Sequence, residues 1–333
     1  RMSSLVEVDQ KGKGEGKGKS PEQIARWESG LIDGLDHVAL SPKNVKSQDF
    51  TVQVLDGRPL RVRLHRSGSA GETIQPCIVY IAGSAFFGAP LDRPEYIVWF
   101  VERGYSVAQI EHRGSLEGGV FPAALHDVIA AVRYVRGHAK EMAIDPTQMS
   151  AYGLSSGSWF ASMIGVSGSE AFREAGLLGS LGDPELLSQP STVKCVIGVF
   201  GPTSFTAMDG HSVPINGVLP EIHDEPDSPE SLFMGFPVQE NKEEVARASP
   251  LSYVEKATCP FFLVHGDSDP LVPVGQSRIF VEKLKEKGVE ITYEEIPGAG
   301  HGTSQFGEEA RLQKHLEFLN KHTLSQAWSC SIL

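Results

Sequence analysis

The chain has 333 residues, 40% hydrophobic and 22% charged, with a formal net charge of −12. That composition suits one large α/β domain or two small ones with a sizeable core. The acidic balance, with a pI near 5.4, rules against nucleic acid as a partner, because neutralising phosphates needs clustered Lys and Arg that occur only in the first twenty residues.

Arg1 before Met2 reads as a cloning remnant, and residues 1–20 include a Gly/Lys repeat over 11–20 that cannot bury apolar surface, so a disordered basic tail is expected. No apolar signal core follows, and no stretch approaches the roughly 20 apolar residues of a membrane span, which leads us to expect a cytoplasmic protein. Residues 21–324 are expected to form a single domain, with 325–333 a C-terminal tail.

From Asp49 the pattern is strand-like. Phe50-Thr-Val-Gln-Val-Leu55, an Asp56-Gly57 turn and Leu60-Arg-Val-Arg-Leu64 alternate with period two, predicting an antiparallel hairpin with one wet face. Continuous apolar strands then alternate with helices. Strands are predicted at 77–81, 106–110, 149–153, 193–200, 261–265 and 290–294, and helices near 96–103, 122–140, after Ser155, near 274–287 and near 307–321. Apolar runs of this kind predict an eight-stranded, mostly parallel sheet covered by helices on both faces, with the first hairpin as its antiparallel edge. Two segments break the rhythm. Residues 166–192, with scattered Gly, Ser and Pro, read as a surface excursion; residues 202–248, with Met and Phe among them, read as a cap or lid insertion over the site.

The chemistry centres on Gly153-Leu-Ser-Ser-Gly157, where a strand turns into a helix. Glycines on either side of Ser155 remove Cβ atoms that would clash in such an elbow. A serine hydroxyl needs an imidazole to take its proton, and the imidazole needs a carboxylate to fix its tautomer. Both belong in loops at the C-terminal ends of later strands. The loop His265-Gly-Asp-Ser-Asp269 offers Asp267 and Asp269; Asp269, which precedes Pro270 and the turn to the next helix, is favoured, with Asp267 a turn or capping residue. In the loop 296–302, His301 is flanked by glycines that allow close approach, whereas His265 reads as structural. His112, His126, His211 and His223 have weaker claims, although those within the insertion could touch substrate. The order Ser155, Asp269, His301 is that of an α/β-hydrolase. Backbone N–H groups of Ser84, Ala85 and Ser156 are expected to face the oxyanion, and Phe86, Phe87 and Trp159 to line the substrate pocket.

These residues resemble the α/β-hydrolase esterases of the lipase/feruloyl-esterase-like and hormone-sensitive-lipase-like branches, over roughly 75–320. The resemblance also rests on Glu111-His-Arg-Gly-Ser115, Phe121-Pro-Ala-Ala-Leu-His-Asp-Val128, Ala143-Ile-Asp-Pro146 and Ala248-Ser-Pro-Leu-Ser-Tyr-Val254. It implies the α/β-hydrolase fold, a carboxylic ester hydrolase needing no metal or organic cofactor, and structural roles for Arg113 and Asp127. The chain departs from the pattern at Ala82-Gly-Ser-Ala85, where the family has H-G-G-G, and at Gly153-Leu-Ser-Ser-Gly-Ser158, where it has G-x-S-A-G-G.

The expected function is a serine hydrolase cleaving an ester, lactone or thioester of a small organic substrate. The alternatives are an acyltransferase in the same site and a non-catalytic ligand-binding protein on a hydrolase scaffold. Four scattered cysteines, Cys77, Cys195, Cys259 and Cys330, suggest neither a metal cluster nor a disulfide framework, so no metal site is expected. The final Cys330-Ser-Ile-Leu333 fits a prenylation motif, so membrane association is expected only if Cys330 is prenylated. Oligomeric state is not legible.

Overall fold

A computed structural model describes residues 44–324 apart from 54–57, 90, 92–94, 180–183 and 216–219. The basic tail, the Asp56-Gly57 turn and Cys330 therefore lie outside the described residues.

Eight strands form one sheet: β1 (Val45–Gln53), β2 (Pro59–Ser67), β3 (Gln75–Ile81), β4 (Ser106–Ile110), β5 (Ile144–Leu154), β6 (Val196–Val199), β7 (Phe261–Gly266) and β8 (Ile291–Ile296). Their spatial order is β1-β2-β4-β3-β5-β6-β7-β8. Antiparallel pairing is confined to β1 with β2 and β2 with β4, and the remaining pairs are parallel. Side-chain character explains the difference. In β2, Leu60, Val62 and Leu64 are buried while Arg61 and Arg63 reach carboxylates of Glu111 and Asp49. In β3 and β4 every residue is buried, as strands covered on both faces require.

Four longer helices cover the sheet: α1 (Ala123–Gly137), α2 (Ser156–Val166), α4 (Gly275–Glu286) and α5 (Glu309–Thr323), with the short α3 (Pro229–Met234) in the insertion between them in sequence. The helix expected near 96–103 is a 3-10 helix over Glu95–Arg103. Its Ile97-Val-Trp-Phe-Val101 run is β-branched and aromatic, poor material for an α-helix. Two apolar clusters result. One includes α1, α2 and the buried faces of β1 and β2; the other joins the 3-10 helix to α5. From the segment 202–248, Phe205, Met208, Phe233 and Met234 join the first cluster. Cys77 and Cys195 are buried free thiols and Cys259 is partly buried.

Candidate active site

The turn from β5 into α2 explains its glycines. Ser155 has φ +52° and ψ −126°, a strained backbone for a residue with a Cβ. A Cβ on Gly153 would strike the Gly157 carbonyl, and one on Gly157 would strike the Ile81 carbonyl of β3. The Ser155 N–H donates to the Val199 carbonyl at 2.9 Å, and its own carbonyl accepts from Ser158 and Trp159 at the start of α2.

The structure brings Ser155 together with Asp269 and His301. The Ser155 hydroxyl lies 3.0 Å from His301 Nε2, and His301 Nδ1 lies 2.7 Å from Asp269 Oδ2. A carboxylate can only accept, so Nδ1 carries the proton and Nε2 faces the serine as an acceptor. The other oxygen of Asp269 accepts from the Leu271 and Val272 N–H groups, both at 2.9 Å. Burial alone would raise its pKa, but the facing His301 and His265 imidazoles hold the carboxyl well below the usual range. His265 is fully buried, with Nδ1 2.7 Å from the Ser277 hydroxyl and Nε2 2.8 Å from the Val272 carbonyl. Asp267 accepts from the Gly298 N–H at 2.7 Å and so ties the β7 loop to the loop that carries His301.

Around these groups opens a cleft of about 300 Å³ including its mouth, walled by Phe86, Pro202, Leu271 and Val272 and by His223, Pro229 and Glu230 of the insertion. Non-glycine residues with positive φ gather here: Ala85 (+47°), Phe86 (+65°) and Phe200 (+41°) join Ser155. Such strain commonly collects where a site fixes its geometry.

One of the three backbone N–H groups expected to face an oxyanion is already engaged. The Ser84 N–H donates to the Ser156 hydroxyl oxygen at 2.9 Å, which diverts it from the cleft. The cause is the hydroxyl at 156, where an alanine would offer no acceptor. Ala85 and Ser156 line the cleft. Of the three aromatics, only Phe86 does so. Trp159 is fully buried behind it, edge-on at 5.6 Å, with its indole N–H on the Ala248 carbonyl; Phe87 packs against the other apolar cluster. Arg113 and Asp127 form a two-pronged ion pair, each contact 2.8 Å, away from these groups.

Sequence reasoning missed two features. A Cβ on Gly83 would come within 2.8 Å of the Ser155 Cβ, so that glycine lets the loop lie against the serine. His223 and Glu230 form a buried pair in the cleft wall, 2.8 Å apart; seven residues apart in an insertion without periodicity, they carry no sequence signal for the pairing. Among the described residues, no group of three or more His, Cys, Asp or Glu side chains is arranged to hold a metal ion.

Comparison with known proteins agrees with this architecture. Over 203 residues the chain is 28% identical to Esterase LipQ of Mycobacterium tuberculosis, covering 60% of this chain and 43% of that one. Esterase LipC of the same organism is 24% identical over 68% of this chain and 53% of its own. The chain thus spans about half the length of the curated relatives it matches. Among solved structures, a truncated carbohydrate esterase from gut microbiota superposes with a TM-score of 0.69 at 25% identity, covering 84% of this chain and 97% of that one. The esterase Est2 of Thermogutta terrifontis superposes with a TM-score of 0.62 at 21% identity, over 83% and 90%, a likeness of fold. The BD-FAE family model matches residues 66–284, a stretch that runs from the end of β2 through nearly all of α4 and takes in Ser155 and Asp269. The chain therefore belongs to the BD-FAE family and has the α/β-hydrolase fold.

Proposed function

We propose that this protein is a serine hydrolase that cleaves a carboxylic ester, lactone or thioester of a small organic substrate through an acyl-enzyme on Ser155. One observation carries the reading: a serine on a strained elbow, 3.0 Å from an imidazole whose other nitrogen is held 2.7 Å from a buried carboxylate. The names of similar proteins, esterases and a carbohydrate esterase among them, support the same reaction.

In this mechanism Ser155 Oγ attacks the carbonyl carbon as His301 Nε2 takes its proton, and Asp269 stabilises the imidazolium. The N–H groups of Ser156 and Ala85 donate to the oxyanion. Collapse of the tetrahedral intermediate expels the alcohol or thiol, which leaves with the proton from His301. Water, activated by the same imidazole, then releases the acid and restores Ser155. Asp269 stays ionised throughout the working range because its pKa is depressed. Segment 202–248 acts as the cover of the cleft, to which it contributes His223, Pro229 and Glu230.

Ser155→Ala should lower turnover of short p-nitrophenyl esters by at least about 10⁴-fold and abolish labelling by a fluorophosphonate. Undiminished turnover would overturn the assignment. The altered oxyanion loop supports a second reading in the same cleft, acyl transfer. Product analysis with an alcohol or amine acceptor separates the two, since hydrolysis yields only the free acid. A non-catalytic binding protein would form no fluorophosphonate adduct.

A further inference from the structure

The cleft wall contributed by the insertion contains a polar group that the proposed reaction does not use. His223 is 1% exposed and lines the cleft. Its Nδ1 lies 2.8 Å from Glu230 Oε2, while its Nε2 is buried with no partner among the described residues. A buried imidazole nitrogen without a partner is costly. The residue that carries it lines the cleft that a substrate must enter.

The segment around His223 is built to hold the ring still. Asp209 accepts the backbone N–H groups of His223 and Asp224 at 2.8 and 2.9 Å. The Glu221 N–H donates to the Pro270 carbonyl at 3.1 Å, next to Asp269. Glu230, at the start of α3, is itself only 4% exposed. We propose that His223, oriented by Glu230, is a substrate-recognition subsite that binds a neutral hydroxyl on the substrate, within the cleft and close to the scissile ester.

The choice of a hydroxyl follows from the chemistry of the pair. A hydroxyl both donates and accepts, so it satisfies Nε2 whether or not that nitrogen carries a proton; a carbonyl or ether satisfies only the protonated ring. A substrate carboxylate would sit beside Glu230, with Asp209 and Glu221 also near enough to act on His223 electrostatically, and would be repelled. An ammonium group could not accept from Nε2–H. Burial opposes the charged imidazole, yet Glu230, aided by Asp209 and Glu221, outweighs it and raises the His223 pKa, which favours Nε2–H as a donor to the hydroxyl oxygen.

The inference rests on the hydrolase reading, and its test keeps the two separable. Two isosteric pairs differ only in a hydroxyl or a methyl: 2-hydroxyethyl acetate with n-propyl acetate on the alcohol side, and methyl 3-hydroxypropanoate with methyl butanoate on the acyl side. The wild type should prefer the hydroxylated member of at least one pair by about tenfold to 100-fold in kcat/KM. His223→Phe should bring that ratio near unity, His223→Gln should keep part of it, and Glu230→Gln should reduce it. Binding is read independently of turnover in the Ser155→Ala protein, where the His223 ring ¹⁵N resonances should shift with the hydroxylated ester of the preferred pair and not with its methyl partner. Ratios near unity for both pairs in the wild type, or a ratio unchanged in His223→Phe, would overturn the subsite and leave Nε2 to a water molecule. If no ester is turned over but the resonances discriminate, the subsite stands and the hydrolase reading falls. If neither is seen, both fall.

Discussion

At the scale of single residues, the hydroxyl of Ser156 is the side chain with the most to explain. It sits at the first position of α2, beside Ser155, and accepts the Ser84 N–H. A well-aimed oxyanion donor is worth about 3 kcal/mol or more when it is removed. Ser156→Ala frees the Ser84 N–H while leaving the Ser156 backbone N–H in place. We therefore expect kcat on short p-nitrophenyl esters to rise, between about threefold and 100-fold. An unchanged or lower kcat would show that the freed donor does not reach the oxyanion. Asp269→Asn tests the opposite side of the site: with no carboxylate to hold Nδ1–H, the imidazole can turn the wrong nitrogen to Ser155, and kcat should fall by about 10³- to 10⁴-fold. The grouping of Ser155, Asp269 and His301 was legible because each follows a predicted strand. The choice between Asp267 and Asp269 rested on position alone, and the structure separates them by partners, the Gly298 N–H for one and His301 for the other. The direction of the Ser84 N–H was not legible, since it depends on where one hydroxyl points.

At the scale of elements, the contact between α2 and the sheet sets the elbow. Gly157 lies against the Ile81 carbonyl so closely that a methyl group cannot fit. Gly157→Ala should push α2 off β3, costing about 1–3 kcal/mol in denaturant unfolding, with activity lost out of proportion because Ser155 moves with the helix. A variant as stable and active as the wild type would show that the elbow can relax. Strand patterning was readable at the centre of each buried strand, and the predicted 106–110 matches β4 residue for residue. It failed at the edges. Strand β1 begins at Val45, ahead of the predicted start, because residues 46–49 (Lys-Ser-Gln-Asp) are exposed and show no apolar run. The predicted 193–200 shortens to Val196–Val199.

For the molecule as a whole, buried histidines give stability a pH dependence. His315 of α5 is fully buried, shares a 3.0 Å hydrogen bond with the Tyr152 hydroxyl and packs edge-on to Phe262. Burial, helped by Arg311 and Lys314, pushes its pKa down to about 3. Between that value and an unfolded value of about 6.5, the unfolded chain binds a proton that the folded one refuses. Stability should therefore fall as pH drops through this window, by about 1.4 kcal/mol per unit for this group. Denaturant titrations at several pH values would read the slope. His315→Leu should flatten it by that amount, whatever it does to stability at neutral pH; an unchanged slope would count against the assignment. His223, with its raised pKa, works in the other direction, and its contribution is lost as pH rises through the folded value.

The stacking of Phe86 on Phe233, with ring centroids 4.3 Å apart, joins two parts of the cleft that otherwise have separate tasks. Phe86 belongs to the left-handed backbone opposite Ser155, and Phe233 to α3, whose first two residues line the cleft. A displacement of α3 that breaks this stack would also free Phe86, next to the Ala85 N–H that the proposed mechanism uses. Under the proposed mechanism, access and readiness would therefore oppose one another: the arrangement that opened the entrance would be the one with its oxyanion donors least fixed.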